Sequence, residues 1–399
     1  MIQKRLTASF KEFFESEKTA GLLMIFCTAV SILLANYFLG ERYTNFWHSY
    51  IGGLSIEHWI NDGLMAIFFL LIGLELEREL YNGELSSLKT ALLPIFAAGG
   101  GVLVPALIHF SLNAGTTTQA GIGIPMATDI AFAIGILSLL GSSVPASLKV
   151  FLTALAVIDD LCAIIVIAVF YTSELFLWYF AGSMLVWLAL LFLNFHLRVM
   201  SLAPYLIGGV LMWFLMLKSG VHATIAGVLL AFAIPFSKKE DDETSPSHRL
   251  EHFLHKPVAF LILPIFAIAN TAILIDAEAI SGLLENNELG IIAGLFVGKP
   301  LGVVLLTLVA VKLGFSKLPL DLNLKHVIGA GMLAGIGFTM SIFITNLAFY
   351  DNPEEINGSK LAILIASLLS GVTGFVWLKL FGEPEPIDTD PETMDLEEI

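Results

Sequence analysis

Thr153-Ala-Leu-Ala-Val-Ile-Asp159-Asp160-Leu-Cys-Ala-Ile-Ile-Val-Ile-Ala-Val-Phe-Tyr171 places two adjacent aspartates inside an apolar, helix-length run. The nearest flanking charges are Lys149 and Glu174, so the pair lies near the middle of the run. One Asp at the centre of a membrane helix costs roughly 2.5–3.5 kcal/mol on an insertion scale. A chain that keeps two side by side is expected to use them on something that crosses the membrane.

The surroundings fit. Of 399 residues, 57% are hydrophobic and 14% charged, against about 25% charged in soluble domains. Apolar runs of about 20 residues follow one another, and they are continuous rather than alternating, which excludes a β-barrel. The expected fold is an all-α polytopic membrane protein of about 12 spans: 20–39, 59–80, 90–112, 121–140, 150–172, 175–196, 202–218, 221–236, 257–275, 289–311, 326–349 and 359–381. With the N-terminus inside, sixteen of the twenty Lys and Arg fall in cytoplasmic segments. The positive-inside rule then predicts that both termini are cytoplasmic.

The chain divides into an amphipathic cytoplasmic segment 1–19, one transmembrane unit 20–382 and a tail 383–399. The tail carries eight acids, three prolines and no base, and is expected to be disordered and cytoplasmic. It accounts for over half of the net charge of −15. No Ala-x-Ala cleavage pattern follows segment 1–19, which reads as membrane-surface rather than as a signal. Cys27 and Cys162 lie inside spans and read as apolar fillers. Residues 41–57, with Gly52-Gly53 between aromatic and β-branched residues, read as an extracytoplasmic hairpin. Either it pairs with a second copy, giving a homodimer, or it rests on the surface.

Glycine and proline interrupt two spans. The fourth contains Gly121-Ile-Gly123-Ile-Pro125-Met-Ala-Thr128-Asp129, and the eleventh Gly329-Ala-Gly331-Met-Leu-Ala-Gly335-Ile-Gly337-Phe-Thr339-Met-Ser341. Broken helices at membrane depth are tolerated only inside protein or beside water. Spans 3–5 and 10–12 each have such a middle helix and run in opposite directions, which predicts inverted-topology repeats with discontinuous helices 4 and 11. Paired interruptions of this kind point to a midplane site in a secondary transporter.

Asp129, Asp159, Asp160 and Lys299 all sit near the middle of their spans. Three acids against one base suit a cation, and Thr128 adds a hydroxyl; hard oxygen donors fit Na⁺ or Li⁺. A buried carboxylate is neutralised by a proton or by a cation, so a site that holds either gives exchange. Two Asp releasing two protons for one Na⁺ move net charge, so two H⁺ in per Na⁺ out is expected. Asp129 is placed to offset the helix N-termini of a break, and Lys299 the C-termini. His222, His252 and His255, with Glu75, Glu79 and Glu251, form a pH-responsive cluster if their helices meet on the cytoplasmic side; otherwise they are solvated. Arg78 can pair with Glu75 or Glu79. His48, His58, His109, His196 and His326 read as interfacial.

Six stretches together resemble the bacterial NhaA-type Na⁺/H⁺ antiporters. They are Ala127-Thr128-Asp129-Ile-Ala-Phe-Ala, Ala156-Val-Ile-Asp159-Asp160-Leu, Ser219-Gly-Val-His222-Ala-Thr-Ile-Ala-Gly, Arg249-Leu-Glu251-His252, Gly298-Lys299-Pro300-Leu-Gly and Gly337-Phe-Thr339-Met-Ser341-Ile-Phe-Ile. This family is itself a standard illustration of inverted repeats. The resemblance implies twelve helices with crossing, unwound fourth and eleventh helices in a bacterial inner membrane. It implies electrogenic exchange that rises at alkaline pH and serves Na⁺ and pH homeostasis. Asp160 becomes the main cation ligand, Asp159 the partner of Lys299, and Asp129 the dipole compensator. Glu75, Arg78, Glu79, Glu251 and His252 match the pH-response region, and segment 41–57 the dimer contact. Loop 238–246 and the acidic tail match no family motif.

The reading is of a transporter in lipid, with Na⁺, Li⁺ and H⁺ as substrates, and not of an enzyme. No cofactor and no nucleic-acid partner is expected. An intramembrane aspartyl protease would place its acids on two facing helices in a Gly-x-Gly-Asp context, which is lacking. A cation channel is disfavoured by a lysine at the site. A sodium-coupled symporter would need an organic-substrate pocket, which sequence does not address.

Overall fold

The computed structural model describes residues 2–83, 85–172, 175–237, 244–350 and 352–383. Among these, nine helices are long and apolar enough to cross a membrane, and two bent pairs bring the number to eleven. The tail from residue 384 onward and loop residues 238–243 lie outside the described residues.

The first helix starts at Ile2 and ends in a π turn at Leu34–Phe38. Residues 2–19 of the N-terminal segment are thus continuous in backbone with the first span, α1 (Lys18–Phe38). Between α1 and α2 (Ile56–Asn82) the hairpin is smaller than expected. Residues Glu41–Trp47 are helical, and buried Tyr43 brings its hydroxyl within 3.1 Å of Ser31 Oγ on α1. Only β1 (Tyr50–Ile51) and β2 (Leu54–Ser55) pair, antiparallel, in the register Tyr50 to Ser55 and Ile51 to Leu54. Gly52 and Gly53, at φ +64° and +91°, make the tight turn that such a hairpin requires.

The two trios of helices take shape around their glycines. α3 (Thr90–Asn113) packs on a later helix, Asn286–Lys312, with backbone against backbone. A Cβ on Gly100 would come within 2.0 Å of Gly302 O, and one on Gly302 as close to Gly100 O. In place of a fourth straight span there are α4 (Thr117–Met126), a 3-10 helix, and α5 (Ile130–Leu139), bent by 40°. α6 (Ala146–Phe170) carries the Asp pair and is unbroken. α7 (Leu177–Phe195) and α8 (Leu202–Ser219) follow at the periphery.

The expected span at 221–236 is mostly not helical. Only α9 (Ile225–Ala231) is α-helix. Its neighbours donate to the freed carbonyls: Trp187 Nε1 to Leu229 O at 2.8 Å, and Asn194 Nδ2 to Ala233 O at 3.1 Å. Partners of this kind are what allow irregular backbone at membrane depth. Gly227 lets α9 touch α2, where a Cβ would meet Ala66 O at 2.2 Å.

α10 (Pro246–Asn270) and α11 (Asn286–Lys312) each contain a π turn. The second, Gly294–Gly298, inserts its extra residue immediately before Lys299. The second broken span is α12 (Leu324–Ala334) with α13 (Phe338–Ala348), bent by 45°. α14 (Pro353–Phe381) closes the bundle.

The α3–α11 contact leaves no room for a methyl group. Gly302→Ala is expected to destabilise the protein by about 1–3 kcal/mol through overpacking. The expected readout is a lower unfolding temperature in detergent, with Gly182→Ala, whose Cβ would meet Leu215 at an ordinary 3.6 Å, nearly unchanged.

Candidate functional site

The two breaks cross each other, and four helix ends meet there. Asp129 N donates to Ile336 O at 2.6 Å, and Ser341 Oγ to Ile124 O at 2.7 Å. The N-termini of α5 and α13 converge on Asp129. Its Oδ1 accepts from Phe132 N at 3.1 Å; its Oδ2 accepts from Thr339 N at 3.0 Å and from Thr339 Oγ1 at 2.5 Å. One carboxylate therefore caps both half-helices, where the dipoles present partial positive charge. The C-terminal ends meet donors instead. Lys299 Nζ donates to Met126 O, the last residue of α4, at 2.5 Å. Thr128 Oγ1 lies 2.9 Å from Ala334 O, the last residue of α12, and 2.7 Å from Asp159 Oδ2. Its single proton serves one of these acceptors at a time.

Beside this crossing, α6 places the Asp pair. Lys299 Nζ also donates to Asp159 Oδ2 in a short, fully buried ion pair. Asp159 Oδ1 has no hydrogen-bond partner among the described residues, and neither oxygen of Asp160 has one. Both residues are 1% exposed. Adjacent positions on a helix point about 100° apart, so Asp159 meets Lys299 and Thr128 while Asp160 is turned away from them. The charges that act on Asp160 are Asp159, Asp129 and Glu75 against Lys299. Three unpartnered carboxylate oxygens on consecutive residues form a strongly electronegative locus away from water. It is tolerable only when a proton or a cation neutralises it.

Around residue 78 the structure brings together most of the expected pH-response residues. Arg78 Nη1 lies 3.0 Å from Glu251 Oε1, and Nη2 3.5 Å from Glu79 Oε1, with Glu75 one turn away on α2. His252 is exposed and His255 half-buried on the same helix as Glu251. His222 is not part of this group. α8 ends at Ser219, Gly220 turns the chain at φ +84°, and His222 is left at the end of the molecule that carries the hairpin. There its Nε2 lies 2.8 Å from Tyr171 O. The roles of two residues escaped the sequence reading. Thr339 holds Asp129, and a hydroxyl directly after a glycine-rich break was the available signal. Glu77 is buried on α2, with Ser247 Oγ 3.4 Å from its Oε2, and looks like one more acid of a charged helix end in the sequence.

The hairpin face holds a cavity of about 590 Å³, walled by Glu57, His58, Asp62, His222 and Lys360, with Asn346 of α13 at its floor. Asn346 is seven residues beyond Thr339, about 10 Å of helix rise. Phe343 lies between them and packs on Phe69 of α2 at 5.4 Å between ring centroids. Along α13, Phe343 thus stands between Asn346, which lines the cavity, and Thr339, which holds Asp129.

Asp129→Ala uncaps two helices at once. It is expected to cost more than the roughly 0.5–2 kcal/mol of a single lost cap, while Thr339→Val, which spares the bond to Phe132 N, costs less. Unfolding temperatures of both variants check this order.

The comparisons with known proteins agree with this architecture. The model of the Na⁺/H⁺ antiporter 1 family matches residues 11–378. A protein of Dechloromonas aromatica named Na⁺/H⁺ antiporter NhaA is 67% identical over 379 residues, 95% of this chain and 97% of that one. Flavobacterium johnsoniae has one named Na⁺/H⁺ antiporter NhaA 1, 60% identical over 94% of this chain and 97% of its own length. Another, from Cytophaga hutchinsonii, is 57% identical over 94% and 96%. With near-complete coverage on both sides, the chain belongs to the Na⁺/H⁺ antiporter 1 family, as a multi-pass membrane transporter and not an enzyme.

Proposed function

We propose that this chain exchanges Na⁺, and Li⁺, for protons at Asp160 and Asp159, extruding the cation with two H⁺ entering per Na⁺. The observation that carries this is the set of three unpartnered carboxylate oxygens beside a lysine-held partner. The names of the relatives supply the ions, Na⁺ and H⁺. Asp160 is the main ligand, because neither of its oxygens is engaged. Asp159 joins it when Lys299 lets go, and Thr128 adds its hydroxyl oxygen by turning its proton to Ala334 O. Asp129, Lys299 and Thr128 hold the four helix ends around this site.

Protons and Na⁺ compete for the same oxygens, so occupancy by one displaces the other. Two protons inward for one Na⁺ outward moves one positive charge inward per cycle, and the membrane potential drives it. The Arg78–Glu251 contact links α2 to α10 and is the place where pH sets activity, with Glu75, Glu79, His252 and His255 around it. The basic residues favour cytoplasmic termini in a bacterial inner membrane, which puts the hairpin outside. Tyr50 and Ile51 are exposed on that hairpin, and two-residue strands with unpaired outer edges suit pairing with a second copy in a homodimer.

Everted membrane vesicles test this. Adding Na⁺ or Li⁺ is expected to collapse a preformed ΔpH, and Asp160→Asn to reduce that response to the level of vesicles without the protein. No response, or an equal one in the variant, overturns the reading. For the stoichiometry, exchange in proteoliposomes is expected to quicken under an imposed potential, negative on the proton-receiving side. Insensitivity to potential overturns two-for-one exchange.

A further inference from the structure

The vestibule on the hairpin face contains chemistry that exchange at the Asp pair does not itself use. Two imidazole–carboxylate pairs stand in its wall. His48 Nδ1 lies 3.2 Å from Glu57 Oε2, and Glu57 Oε1 lies 3.3 Å from Lys360 Nζ on α14. At the next residue, His58 Nε2 lies 2.8 Å from Oδ2 of Asp62, which is one turn further along α2. His222 faces Asp62 from beyond α8, and Tyr50 and Tyr350 are the other ionisable groups in the wall. With the imidazoles neutral, two carboxylates stand against one ammonium, so the cavity attracts cations.

Imidazole is the side chain that titrates near neutral pH, at about 6.5 when unperturbed. His48 lies outside the spans, and its hydrogen bond to Glu57 raises it above that value, against partial desolvation and the charge of Lys360. Two of the lining residues, Asn61 and Asn346, are bridged by buried Asn270: Asn270 Nδ2 donates to Asn61 Oδ1 at 2.8 Å, and Asn346 Nδ2 to Asn270 Oδ1 at 2.7 Å. This amide row joins α2, α10 and α13, with Asn346 three residues beyond Phe343 on α13.

We propose that this vestibule is a proton-loading antechamber, in which His48–Glu57 and His58–Asp62 take protons from solution and pass them to the Asp pair when the Phe69–Phe343 layer parts. The inference rests on the exchange reading and adds the route of the incoming proton to it. The transfer is balanced without any other reactant: an imidazolium N–H bond breaks, a carboxylate O–H forms, and the neutral imidazole reloads from water. Above neutral pH free protons are scarce, and a charged, low-dielectric cleft raises capture rates by about 10–10³.

The test is Na⁺-driven proton flux in oriented proteoliposomes, with pH on the hairpin side varied and the other side held constant. His58→Gln and His48→Gln are expected to match the unaltered protein near pH 6 and to run about tenfold slower above pH 8. Half-saturating Na⁺ on the opposite side stays unchanged. His48 is 65% exposed, so its variant carries the test if His58→Gln fails to insert. Profiles that superimpose on the unaltered protein, or a loss of equal proportion at every pH, overturn the antechamber alone. Absence of Na⁺-driven flux in the unaltered protein overturns the exchange reading and this inference with it.

Discussion

Four helix ends meeting away from water are the constraint on which the rest of this molecule depends. Each end presents backbone groups that no helix satisfies, and there is no solvent to take them. Asp129 answers for two of the ends, through Phe132 N and Thr339 N. Lys299 and Thr128 answer for the others, through Met126 O and Ala334 O. Because Lys299 and Thr128 also touch Asp159, the groups that hold the crossing together are the groups that hold half of the Asp pair. Scaffold and buried charge are then one network, and a change in the charge of Asp159 bears on the balance of the crossing.

Asp160 stands apart from that network. It has the burial of its neighbour without any of the neighbour's bonds. The two acids differ because the helix turns about 100° between them, and only one faces the π-shifted lysine. The Gly294–Gly298 turn matters here, since a regular helix would aim residue 299 in another direction.

Much of this was legible in the chain. Asp159-Asp160 in an apolar run, Lys299 between Gly298 and Pro300, and the glycine-rich interruptions each announce themselves through local cost: a charge or a broken helix in lipid needs a reason. What the sequence hid was set by contacts between distant segments. Thr339 donates to Asp129, 210 residues away, which caps the helix that Thr339 belongs to. The stretch 221–236 looks long enough to span, and only the donors Trp187 and Asn194 on α7 explain how seven helical residues suffice. His222 shared a list of histidines with His252 until the turn at Gly220 put it at the other end. Residues Glu41–Trp47 read as strand by composition and are helical because Tyr43 is drawn into contact with α1.

The contact between Gly100 and Gly302 has a mechanical meaning. Side-chain interfaces slide by exchanging rotamers, one ridge stepping past the next. Here two main chains touch with nothing between them, so there is no rotamer to exchange and no ridge to step over. Translation along either helix would drive Cβ atoms of neighbouring residues into the opposing carbonyls, whereas tilting about the point of contact would not. The repeats are joined by a fulcrum, and the half-helices on either side of it are the arms of a lever.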